Sequence, residues 1–300
     1  MTRFAELGVT SNFSFLRSGS HPDELVHQAA ALGHEAVGIA DRNTLAGVVR
    51  AHMAAREAGI QLGVGARLVT QDGFELLCFP RDRAAYGRLS KLLTLGNRRA
   101  PKGECHLSLA DIAGAQDGQV LVVMPPAQVD AAFEARLREA MALLDIPYLA
   151  AGFLYGADDR ARLTRLAALA EGLGLRLMAS NDVHYHAPQR RALQDVVTAI
   201  REHVRVEDAG ALLAANAERH LKPPEEMARL FAAWPDAITA TVDLAKSISF
   251  SLDELAYQYP DEVFGKGETP QETLERLTWE HAQTRFPDGP DLEMEQALRH

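Results

Sequence analysis

Over its first 180 residues the chain alternates short apolar runs with longer stretches whose apolar residues recur at helical spacing, and few architectures accept that alternation. Strand-like runs fall at residues 4–9, 35–40, 60–69, 74–79, 119–124, 146–153 and 175–179, and helical patterns at 22–32, 45–58, 84–95, 129–144 and 158–173. The helix at 22 has a readable start, Ser20-His21-Pro22-Asp23-Glu24, with a cap, a first-turn proline and acids at the positive end of the helix dipole. Gly33, Gly59, Gly172 and Gly174 close other patterns. Strands alternating with helices predict a largely parallel sheet with helices outside it, open or closed into a barrel. About seven strands suit an α/β barrel slightly smaller than the eight-fold kind. In either form ligands gather at the carboxyl ends of strands, here residues 8–11, 41–43, 65–67 and 180–186.

Beyond residue 186 the texture changes to helices and loops. Helical patterns run over 192–203, 225–233, 237–248 after a break at Pro235, and 271–285. A last pattern at 292–299 reaches the end of the chain, so a piece of a longer protein is expected.

Composition narrows the functional classes. The 300 residues are 47% hydrophobic and 24% charged, enough for one large domain or one domain with an appendage. A net charge of −10 argues against a surface devoted to gripping phosphates, though not against a local basic strip. The two cysteines, Cys78 and Cys105, lack metal-type spacing and suit a reduced, cytoplasmic setting. Residues 1–6 lack the apolar core of a signal peptide, and no apolar run reaches the roughly 18–20 residues of a membrane span. A soluble protein with no membrane partner is expected.

The clearest chemical cluster is Asn181-Asp182-Val183-His184-Tyr185-His186, directly after an apolar run. Alternation along an extended segment puts Asp182 and His184 on one side, as two ligands of one cation require. Asp41 ends another run, Val37-Gly38-Ile39-Ala40. The same residues also fit a plainer role, with Asp182 capping the next helix and His184 half-buried and satisfied. Spacing leaves both open. His21, His27, His34, His52 and His106 are scattered and suit surface or packing roles. Gly63-x-Gly65 lacks the Gly-Lys-Ser/Thr of a phosphate loop, and no Gly-x-Ser-x-Gly nucleophile motif is present.

The stretch Phe4-Ala5-Glu6-Leu7-Gly8-Val9-Thr10-Ser11-Asn12-Phe13-Ser14-Phe15-Leu16 resembles the first motif of a PHP (polymerase and histidinol phosphatase) domain. Ala36-Val37-Gly38-Ile39-Ala40-Asp41, with Asn43-Thr44-Leu45-Ala46-Gly47, resembles the second, and Asn181-Asp182-Val183-His184-Tyr185 the last. Leu45-Ala46-Gly47 and Tyr86-Gly87-Arg88-Leu89-Ser90-Lys91-Leu92-Leu93-Thr94 resemble a PHP domain attached to a bacterial C-family DNA polymerase. Arg191-Ala192-Leu193-Gln194-Asp195, Asn216-Ala217-Glu218-Arg219-His220-Leu221 and Phe250-Ser251-Leu252-Asp253-Glu254-Leu255-Ala256-Tyr257-Gln258-Tyr259-Pro260 are similar to its error-prone, DNA polymerase III alpha-like branch.

The resemblance implies a PHP-type distorted (β/α)7 barrel core over residues 1–200. It further implies a helical extension over 201–285 that closes the barrel and links to the palm, and the start of a palm over 286–300. Metal-competent PHP domains begin their ligand set with a His-x-His pair. Here those positions are Gly8 and Thr10, a histidine expected after Asp41 is Arg42, and a glutamate expected after the third strand is Arg67. The middle ligands, expected between roughly residues 75 and 155, are not found. Asp41, Asp182 and His184 remain as vestigial metal ligands.

Arg42 and Arg67 are therefore expected to replace metal by pairing with the remaining carboxylates. No catalytic residue and no bound cofactor is expected in this chain. The parent polymerase would use Mg²⁺, and would meet DNA and deoxynucleotides through palm and fingers that lie outside it. A sliding clamp and translesion accessory proteins are implied partners. The alternative is a metal-dependent PHP phosphoesterase acting on a small phosphate ester or nucleotide.

Overall fold

All five residues of β1 (Ala5–Val9) are buried, as a strand covered on both faces requires. β2 (Ala36–Arg42) pairs with it in parallel, and β3 (Gln61–Val69) continues the parallel run. The sheet order is sequential, β1 to β7. β5 (Gln119–Met124), β6 (Tyr148–Ala151) and β7 (Arg176–Ala179) are again parallel to one another. The sheet is largely parallel, as expected, with one exception. β4 (Glu75–Pro80) runs antiparallel to both β3 and β5. The connection from β3 is a tight turn in which Thr70 N–H donates to Phe74 O at 3.0 Å and Gly73 takes φ 85°. So short a link can join only antiparallel neighbours.

Beyond β7 the chain curls back onto the first strand. Val183 bridges Val9 in parallel, Thr10 N–H donates to Val183 O and Val183 N–H donates to Gly8 O, both at 2.9 Å. The result is a distorted seven-stranded barrel that closes at its mouth. The computed structural model describes residues 2–255 and 267–298.

α1 (Pro22–Ala31), α2 (Val48–Ala58), α3 (Arg83–Arg99), α5 (Ala131–Leu143) and α6 (Asp159–Leu173) match the helical patterns, with ends shifted by a few residues. Of the two closing glycines, Gly172 lies within α6 and Gly174 ends it at φ 70°. A short α4 (Leu109–Ala113), capped by Ser108, spans too few turns to leave a periodic trace.

After short 3-10 turns and α7 (Arg191–Arg201), α8 (Pro224–Leu230) and α9 (Pro235–Ser247) follow. Pro235 opens α9 at its first position, where its missing N–H costs nothing. Ala240, Leu244 and Ala245 of α9 pack with Ala5, Leu7 and Met178. Thr241 Oγ1 accepts from Ala5 N–H at 3.1 Å. The first compact unit accordingly continues past residue 200, covering Met1–Leu255.

The second unit, Ala256–His300, contains α10 (Pro270–Arg285) and α11 (Leu292–Leu298). Thr269 and Glu272 cap α10 reciprocally. Residues 256–260 of the polymerase-like segment lie outside the described residues. No described helix is long and apolar enough to cross a membrane.

Candidate functional site

The carboxyl ends of the parallel strands carry a chain of alternating charge. Arg42 Nη1 meets Glu75 Oε1 at 3.1 Å, and Glu75 Oε2 meets Arg67 Nη1 at 3.2 Å. Arg67 Nη2 then donates to Asp182 Oδ1, and Arg219 Nη1 donates to Asp182 Oδ2. Arg67 is buried at 8% exposure. Burial alone would lower its pKa, but Asp182 and then Glu75 hold it above the ordinary guanidinium value. Burial likewise favours the neutral acid at Asp182, yet Arg67 and then Arg219 keep that carboxyl well below the usual carboxylate range.

Asp41 is brought to the same mouth but joins no arginine. Its Oδ1 accepts from Ser11 N–H at 2.8 Å and Ser14 Oγ at 2.7 Å, and its Oδ2 from Ser11 Oγ at 2.7 Å. The expected pairing of Arg42 with a surviving ligand carboxylate is replaced by a pair with Glu75. Successive strand side chains point to opposite faces, so Asp41 and Arg42 diverge. Burial raises the Asp41 pKa, and the serine hydrogen bonds work against that rise.

Residues 6–144 match the PHP domain family. The match runs from β1 through α5 of the barrel. The chain is 49% identical over 288 residues to an error-prone DNA polymerase of Caulobacter vibrioides, covering 95% of this chain and 27% of that protein. It is 50% identical over 293 residues to one from Rhodopseudomonas palustris, covering 95% and 26%. The chain thus spans about a quarter of the length of the curated relatives it matches. Among solved structures, an amidohydrolase from Chromobacterium violaceum aligns at 17% identity and TM-score 0.45, covering 61% of this chain and 88% of that one.

PHP domains that carry metal need ligand atoms free to face it, and the residues here do not fit one. Both oxygens of Asp182 and both of Asp41 are already engaged. Asp182 and His184 do share a side, with His184 Nε2 3.9 Å from Asp182 Oδ1, although Asp182 is left-handed at φ 45° rather than extended. His184 is pushed down to about 3 by burial and then by Arg219, so its ring is neutral at pH 7. Gly8 offers no side chain, and a Cβ there would lie 2.3 Å from Ser180 Oγ. Thr10 is buried, with a hydroxyl that has no hydrogen-bond partner. Among the described residues no group of three or more His, Cys, Asp or Glu is placed to share a metal.

Four participants in this site escaped sequence reasoning: Glu75, Arg219, Ser11 and Ser14. Glu75 opens β4, and because β4 is antiparallel its first residue lies where the other strands end. The four-residue link between strand-like runs was the signal for this. Arg219 is placed by its loop. Asn181 Nδ2 donates to the carbonyls of Glu218 and His220 at 2.6 Å each, and Lys222 Nζ donates to Asn181 Oδ1 at 3.0 Å. Asn181 N–H in turn donates to the buried carboxyl of Glu6 at 2.7 Å. Ser11 and Ser14 belong to the first motif but carry no ligand signature.

Proposed function

We propose that this chain is the PHP portion of an error-prone DNA polymerase and that its barrel is structural rather than hydrolytic. The observation that carries the reading is Asp182, whose two oxygens are held by Arg67 and Arg219 in a chain half-identical to error-prone polymerases. A guanidinium pair supplies fixed positive charge to a carboxylate without an exchangeable water to act as nucleophile. The domain would hold its neighbours together, and α9 in the barrel core is the element through which a helical extension is tied to the barrel.

The parent would perform DNA-directed DNA synthesis, a nucleotidyl transfer assisted by carboxylate-held Mg²⁺ on its palm. It would act in DNA replication and repair as a damage-tolerance enzyme of the cytoplasm. DNA and deoxynucleotides would be its substrates, with a sliding clamp and translesion accessory proteins as partners.

The test is a pair of assays. The longer polypeptide should extend a primer with Mg²⁺, and should do so equally well as the His184→Gln variant. This chain, purified without chelator, should hold well under one zinc, manganese or iron per molecule and should not turn over a generic phosphate ester. Ester hydrolysis that disappears in His184→Gln would replace this reading with the phosphoesterase one.

A further inference from the structure

Two recesses at the barrel mouth share Arg17 and Arg42. The first, of about 810 Å³, is lined by six arginines: Arg17, Arg42, Arg67, Arg136, Arg201 and Arg219. Four carboxylates face them, Asp72, Glu75, Asp130 and Asp182. The local balance is therefore positive by two (six less four), on a chain whose net charge is −10. The second recess, of about 820 Å³, continues from the shared arginines past Phe13, Phe15 and Lys102. Among the described residues, Arg17 and Lys102 make no ion pair. Burial, then Arg42 and Arg201, lower the Arg17 pKa, as expected of a cation short of counter-charge.

The aromatic side of this groove is held firmly. Phe15 is 81% exposed and Phe13 38%. Their loop is pinned at several points. Ser11 and Ser14 bind Asp41, and Ser18 Oγ donates to His184 O at 2.5 Å. Gln194 Nε2 donates to Arg17 O at 3.0 Å, and Arg201 Nη1 to Leu16 O at 3.1 Å. A carboxylate that stands at a PHP ligand position thus anchors a loop that displays a phenylalanine to solvent. An exposed aromatic face beside unpaired cations matches two features of single-stranded nucleic acid, unpaired bases that stack and a phosphate at every step.

We infer that this groove binds single-stranded nucleic acid, with phosphates over Arg17, Arg42 and Lys102 and a base stacked on Phe15. The inference does not depend on polymerase activity, because binding is read on this chain and extension on the longer protein. An acidic protein segment would satisfy the cations but would not need the ring.

Fluorescence anisotropy with a labelled oligothymidylate, in low salt with EDTA, tests it. Binding should occur, should weaken steeply as salt rises, and should be weaker for duplex of the same length. Phe15→Ala should weaken it about tenfold, within the range for loss of one stacked base, and Phe15→Leu should weaken it nearly as much. Arg17→Ala should flatten the salt dependence. Both phenylalanine variants should melt within a couple of degrees of the parent chain. No binding, unchanged binding by Phe15→Ala, full retention in Phe15→Leu, or equal competition by an acidic peptide would each overturn the assignment.

Discussion

Arg67 and Asp182, 115 positions apart in sequence, meet at the mouth of the barrel, where the guanidinium donates to one carboxylate oxygen while Arg219 occupies the other. Arg67 also reaches Glu75, so one buried cation spans two acids.

Removing that cation should be costly. Arg67→Ala leaves Asp182 and Glu75 each one partner short, and breaking a buried pair from one side costs about 3 kcal/mol or more. Urea denaturation should show this loss at unchanged slope. Arg67→Lys should recover only part of it, since one ammonium cannot reproduce the planar fork between two carboxylates.

His184 gives the fold a pH dependence with a definite sign. Its folded pKa is about 3, against about 6.5 for an unperturbed histidine. Between those values the unfolded chain binds a proton that the folded chain refuses, so stability is complete above about pH 6.5 and falls as pH drops. Asp182, depressed in the fold, adds a loss only below about pH 4, its unfolded value. Unfolding free energies measured from pH 7 to 4 should therefore fall less steeply in His184→Asn than in the parent chain. Parallel curves would contradict the half-buried, neutral ring.

Asp41 is predicted to stabilise through serines rather than through an arginine. Asp41→Ala strands three donors and should lower stability by about 1–3 kcal/mol. Gly47→Ala should disturb the same cluster from the other side, because a Cβ there would lie 2.6 Å from Asp41 Oδ2. Thermal melts of the two variants and of their combination should show less than additive losses.

Leu244→Ala tests whether α9 belongs to the barrel core. Leu244 is fully buried in the cluster that contains Ala5, Leu7 and Met178. Truncation should cost about 2–5 kcal/mol, read as a lower denaturation midpoint of the whole unit. A loss confined to a separate, earlier transition would mean that α9 melts apart from the barrel.

Much of the fold was legible in the chain. The seven strand-like runs and the longer helical patterns correspond to the elements observed, because apolar periodicity is a local property that burial enforces. Five-residue α4 left no such trace, and the direction of β4 was missed although only residues 70–73 separate it from β3. At the site, the positions lacking ligand side chains, Gly8 and Thr10, could be read directly. Arg67 was recognised as a pocket cation, but the partner of Arg42 was not, since Glu75 enters only through an antiparallel strand.

The sequence by itself determined the alternation that builds a barrel, the motifs that resemble a PHP domain, and the absence of ligand-bearing side chains at its first motif. Those are statements about single positions and their near neighbours. The tertiary structure alone decided which carboxylate each arginine meets, that serines hold Asp41, and that Arg219 completes Asp182. Such pairings depend on strand order, strand direction and the register of loops pinned far away. Electrostatic contacts act over a few ångströms in space and are blind to separation along the chain.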